Sequence, residues 1–107
     1  MKEESLMKEL SKVYPNCKEG FLEEVLKCVE IHSRKNHDYN GSSELYLVTG
    51  IKGRIADVWR KMIRIMTLGW FAQDSEVKTE SLEETSRDLT VYSILLTIEL
   101  HKKQQDL

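Results

Sequence analysis

Apolar residues recur every three or four positions in four stretches of this chain, and no stretch alternates apolar and polar residues over the length of a strand. In the first stretch Leu6, Leu10, Val13 and Tyr14 share a face; Ser5 is placed to cap it, and Pro15-Asn16 to end it. The result is a lid or docking helix. After a break at Cys17 to Gly20, Phe21, Leu22, Val25, Leu26, Val29 and His32 form a second amphipathic pattern, running to about Asn36. The turn-rich run from His37 to Ser43 reads as a loop. A third helix is expected from about Ser43 to Leu68, with Tyr46-Leu47-Val48 inside it, a kink near Gly50 or Gly53, and Gly69 as its stop. A fourth starts at Thr79 or Ser81 and runs into Lys102-Lys103-Gln104. Its half from Val91 to Leu100 is apolar nearly all round, which suits the centre of a bundle or a face shared between subunits.

These elements predict an all-α fold. It is a bundle of three to four helices with a short N-terminal helix, forming one domain over 1–107 (helix 1–16, bundle 17–103). A chain of 107 residues buries only about two-thirds of its unfolded surface, so self-association into a homo-oligomer is expected. The net charge of -2 gives no general attraction to duplex nucleic acid or an anionic membrane, so any anion site must be local. Cys17 and Cys28 are too few for a disulfide framework or the usual zinc site. Neither a secretory signal nor a run of about 20 apolar residues is visible. A cytoplasmic location is the expectation.

Helix periodicity assigns the charges to faces. On the fourth helix Glu83, Ser86, Thr90, Ser93 and Thr97 share a narrow arc, the expected solvent face. Glu84 and Asp88 share the line of Val91, Leu95 and Ile98, so both acids should turn toward the interior or an interface. Buried carboxylates need cationic partners. On the third helix Arg54, Asp57, Lys61 and Arg64 form a polar ridge beside the apolar arc of Ile51, Ile55, Val58, Trp59, Met62 and Met66. Two uses are open. In a structural one, Glu84 closes a capping box with Ser81 and Asp88 pairs with Arg64 or Lys61. In a functional one, Glu84 and Asp88 hold a divalent cation or accept from a base or sugar, while Lys61 and Arg64 contact phosphate.

The run Lys35-Asn36-His37-Asp38-Tyr39 sets polar side chains at a helix end, where it either caps the helix or grips a ligand. His32 is expected to be a hydrogen-bonded core residue, Cys28 a buried thiol, and Trp59 and Trp70 core and interface packing residues. No glycine-rich phosphate loop or Gly-x-Ser-x-Gly motif occurs.

Three segments taken together, Lys35 to Tyr39, Arg60 to Leu68 and Glu80 to Tyr92, resemble the nucleotide modification associated domain 1 family of bacteriophages and bacteria. That family is thought to be related to all-α NTP pyrophosphatases of the MazG and dimeric dUTPase type. The likeness covers roughly residues 21–100 and implies an oligomeric helical bundle in nucleotide metabolism. The family's Lys-x-x-Asp-Tyr falls on Lys35, Asp38 and Tyr39, its Lys-x-x-Arg on Lys61 and Arg64, and its late acidic pair on Glu84 and Asp88, with Tyr92 following. Asn40, Arg60 and Val91 depart from the pattern, and the Glu-x-x-Glu and Glu-x-x-Asp metal motifs of MazG-type enzymes are missing.

The resulting expectation is a Mg2+-dependent NTP or dNTP pyrophosphohydrolase. Asp38, Glu84 and Asp88 would be its catalytic acids, with Glu84 and Asp88 (and Asp38 or Glu24) on the metal. Lys35, Tyr39, Arg54, Lys61, Arg64 and Tyr92 would bind substrate. A non-catalytic module that sequesters a nucleotide or cyclic oligonucleotide, and a purely structural helical oligomer, are the alternatives.

Overall fold

The computed structural model describes residues 2–38, 50–71 and 79–105, which form α1 (Lys2–Val13), α2 (Phe21–Asp38), α3 (Ile51–Ile65), a π-helical segment (Met66–Phe71) and α4 (Thr79–Gln105). The fold is all-α, as expected, with no strand among the described residues. Nor is any described helix long and apolar enough to cross a membrane.

Helix α1 starts earlier than expected, so Ser5 lies a turn inside it and is not its cap. Glu3 and Glu4 in the first turn complement the positive end of the helix dipole. At the other end the Tyr14 N–H still reaches the Leu10 carbonyl at 2.8 Å before Pro15 removes the next donor. Gly20, at φ 88, takes a backbone conformation that side chains with a Cβ disfavour, and so turns the chain into α2. The first helical bond there is donated by the Glu24 N–H to the Gly20 carbonyl at 3.1 Å. Helix α2 also takes in His37 and Asp38, placed in a loop by their composition; the rest of that loop lies outside the described residues.

Gly50 overturns the expectation of one continuous third helix through it. At φ 66 and ψ -146 it cannot belong to a right-handed helix, and its carbonyl instead accepts the first bonds of α3 from the N–H groups of Gly53 and Arg54. Gly53 lies buried within α3. The far end differs too. Gly69 does not take the left-handed conformation of a helix stop, and the chain winds on in the wider π form to Phe71. Leu82 of α4 passes the Gly69 backbone closely, at 3.6 Å from where a Cβ would stand.

Helix α4 is the spine, about 40 Å long at 1.5 Å per residue. α3 packs chiefly on α4, α4 also meets α2, and α1 lies on α2. The expected solvent face of α4 is exposed at Glu83, Ser86, Thr90 and Thr97, while Ser93 is half-buried.

The core is unusual. Cys28 is the sole buried hydrophobic side chain among the described residues, whereas Arg54, Asp57 and Thr85 are buried polar ones. Helix α3 turns its charged ridge onto α4 and its apolar arc outward, leaving Ile55, Trp59, Met62 and Met66 exposed. Trp59 and Trp70, expected to pack, are 65% and 79% exposed within the chain.

Candidate functional site

The inward face of α3 and the first three turns of α4 enclose an open cleft of about 410 Å3, lined by Arg60, Lys61 and Arg64 on one side and Ser81, Glu84, Thr85 and Asp88 on the other. The spacing explains the lining. On α3 the residues 57, 60, 61 and 64 share one side at i, i+3, i+4 and i+7, and on α4 81, 84, 85 and 88 repeat the same interval.

Asp88 sits where three helices meet. Its Oδ2 lies 3.4 Å from Lys61 Nζ of α3, and its Oδ1 3.8 Å from Lys35 Nζ of α2. Lys61 is the expected partner; Lys35 is an additional one. Arg64, the other partner considered for Asp88, instead donates from Nε to Thr85 Oγ1 at 3.1 Å and from Nη2 to Ser81 Oγ at 3.3 Å. Thr85 Oγ1 donates in turn to the Ser81 carbonyl at 2.9 Å, which fixes the hydroxyl that holds the arginine. Arg64 is thus aimed by two neutral oxygens. Among the described residues no carboxylate neutralises it.

Arg60 is tied down differently, with Nη2 2.6 Å from Oδ1 of the buried Asp57. Glu84 is exposed at the cleft and has no hydrogen-bond or ion-pair partner among the described residues. It does not turn into the interior as Asp88 partly does. Nor can it close a capping box with Ser81, because α4 begins at Thr79 and Ser81 already lies in its first turn with its hydroxyl engaged by Arg64.

The remaining expected site residues are scattered. Arg54 is buried in the first turn of α3 and Tyr92 is half-buried one turn beyond Asp88; neither lines the cleft. Asp38 is the last residue of α2, and Tyr39 lies outside the described residues. His32 is half-buried without a hydrogen-bond partner among the described residues, contrary to the expectation of a bonded core histidine. Cys28 is buried as expected, and that burial raises its thiol pKa; Cys17 is exposed.

Of the two cleft hydroxyls, Ser81 was expected only in a capping box and Thr85 was not expected at the site. Ser81 and Thr85, at i and i+4 on the Asp88 side of α4, could have been found by the same face assignment. Also missed was the clasp between Arg87 and Glu24, which joins α4 to α2 outside the cleft. Arg87 Nε and Nη2 donate to the two Glu24 oxygens at 2.9 and 3.2 Å, and Glu83 adds a contact at 3.1 Å. The bidentate hydrogen bond holds the Glu24 carboxyl below its ordinary pKa and raises that of Arg87.

No family model matches this chain, and neither does any curated protein or solved structure. Its chemistry therefore rests on the cleft. A magnesium ion is commonly held by one or two carboxylates together with substrate phosphate and water. Here Asp88 is engaged by two ammonium groups, Asp57 by Arg60, and no three His, Cys, Asp or Glu side chains come together as a metal-binding group among the described residues. The described residues do not fit a magnesium site held by the protein alone. They do fit an anion: a guanidinium with a free edge, a neighbouring lysine and two hydroxyls along one wall.

Proposed function

We propose that the cleft between α3 and α4 binds a phosphorylated small molecule, a nucleotide above all, and that the working unit is an assembly of like chains. The single observation that carries the ligand reading is Arg64, a cation oriented by Thr85 and Ser81 with no carboxylate partner among the described residues. A phosphate set against its remaining N–H groups gains charge-assisted hydrogen bonds, each worth about 1.5–3 kcal/mol. Lys61 stands one turn earlier and can share itself between Asp88 and a second phosphate oxygen.

Glu84 supplies the opposite sign. An unengaged carboxylate at the same cleft accepts from a sugar hydroxyl or a base amino group, which a bare phosphate cannot offer. A mixed-sign site of this kind favours a nucleotide over inorganic phosphate. The resemblance to the nucleotide modification associated domain 1 family points the same way. Hydrolysis, which that resemblance also implies, is the second reading; Glu84 favours it, as the one cleft acid no cation engages among the described residues.

Native mass spectrometry after gentle purification, followed by incubation with a full NTP and dNTP panel with and without EDTA, tests both readings. Retained or added nucleotide that survives EDTA and is recovered unchanged supports binding. Magnesium-dependent release of pyrophosphate would establish the hydrolase reading instead. No bound nucleotide and no turnover across the panel would remove both.

A further inference from the structure

Helix α3 has a second face whose chemistry the cleft does not use. Ile55, Trp59, Met62, Ile63 and Met66 fall on one arc of about 100°, opposite the ridge that meets α4. All five are exposed, from 39% at Met62 to 65% at Trp59. An apolar stripe from Ile55 to Met66, with Lys52 the one charge in line with it at the helix start, marks a surface suited to being covered more than scattered single residues do.

The area says how much is covered. A compact monomer of 12.5 kDa exposes about 6,200 Å2. This chain exposes 8873 Å2. That total counts every residue of the chain, and it leaves ample room for the roughly 800 Å2 that each partner gives up in a standard interface. With Cys28 the sole buried hydrophobic side chain among the described residues, the described helices bury little apolar surface completely against one another. A second copy is the partner always present when the chain is made.

We propose that a second copy of this chain packs on the outward stripe of α3, so that the two stripes form a shared core. A two-fold contact sets the same patch against itself, and a patch containing charges would repel its twin. The five stripe residues carry none. The surface gives the assembly proposed above its interface and rests on that reading, but not on what the cleft binds.

Two measurements on the intact chain test it. Sedimentation equilibrium is expected to give a multiple of 12.5 kDa for the wild type and 12.5 kDa for the variant Trp59→Glu with Met62→Glu. Because two acids on one helix can also prevent folding, the second measurement leaves the stripe intact. Trp70→Phe makes Trp59 the sole indole, and acrylamide is expected to quench it several-fold less than free tryptophan. A wild type of 12.5 kDa at micromolar concentration would overturn the surface and the assembly together, leaving nucleotide binding to be scored on its own. An assembled protein whose Trp59 is quenched as fast as free tryptophan would overturn the surface alone.

Discussion

The two sides of α3 obey opposite rules. Toward α4 the helix presents Asp57, Lys61 and Arg64, every one of them matched to a specific oxygen or nitrogen; away from it stand Ile55, Trp59, Met62 and Met66, all of them exposed. In a self-sufficient small domain the assignment runs the other way, with the apolar arc inside. The difference teaches that the polar side of this helix is specified within one chain, while under the assembly proposed above the apolar side would be specified between chains. Directional bonds orient the cleft but supply little net free energy, about 0.5–1.5 kcal/mol each for neutral groups. Under the proposed assembly the larger stabilising term comes from the other side.

The largest consequence concerns stability. If the apolar side is completed by association, the wild-type Tm rises with protein concentration by mass action, and differential scanning calorimetry over a hundredfold concentration range would show it. A Tm that stays constant would break the comparison. Next comes the polar side. Arg64→Ala is expected to weaken nucleotide binding at least tenfold in isothermal titration, about 1.4 kcal/mol or more, with helicity unchanged because the side chain is exposed. Equal affinity in the variant would remove Arg64 from the site.

Asp88→Asn sharpens the contrast. It loses an interhelical ion pair between partly exposed groups, a cost of up to about 1 kcal/mol in denaturation midpoint, yet frees Lys35 and Lys61 to attract an anion. The variant should be slightly less stable and should bind nucleotide more tightly. A loss of binding would instead make Asp88 a direct ligand contact or a metal ligand.

The smallest effect lies outside the cleft. Because the Glu24 carboxyl is held below its ordinary pKa by Arg87, its clasp contributes stability above the unfolded glutamate value of about 4.3, and loses it as pH falls through the lower folded value. The gap in stability between wild type and Glu24→Gln should therefore be constant near neutrality and close in acid. A gap that widens in acid would mean that the clasp does not depress Glu24.

Periodicity was enough to find the helices, because apolar spacing is a local property; α2 and α4 came out within two residues at most boundaries. Gly50 was misjudged because its left-handed φ depends on how the chain enters α3, and composition does not carry that. Gly69 was misjudged because the chain there winds on in a π-helical turn, in ordinary contact with Leu82, which composition does not signal. The charged ridge of α3 and the Asp88–Lys61 pair were legible, since burial of an acid demands a cation. The direction of the ridge, toward the acids of α4, followed from the same demand; the outward turn of the apolar arc did not. An amphipathic pattern states that two faces differ, but not which of them a single chain keeps for itself.

A double-mutant cycle on Lys61 and Asp88 reads that direction most directly. Lys61→Ala, Asp88→Ala and the pair are compared by chemical denaturation at one protein concentration. With the charged side of α3 against α4, the two substitutions should be coupled by about 0.5 kcal/mol or more. Strict additivity, with each substitution costing the same whether or not the other is present, would mean that α3 does not turn its charges inward.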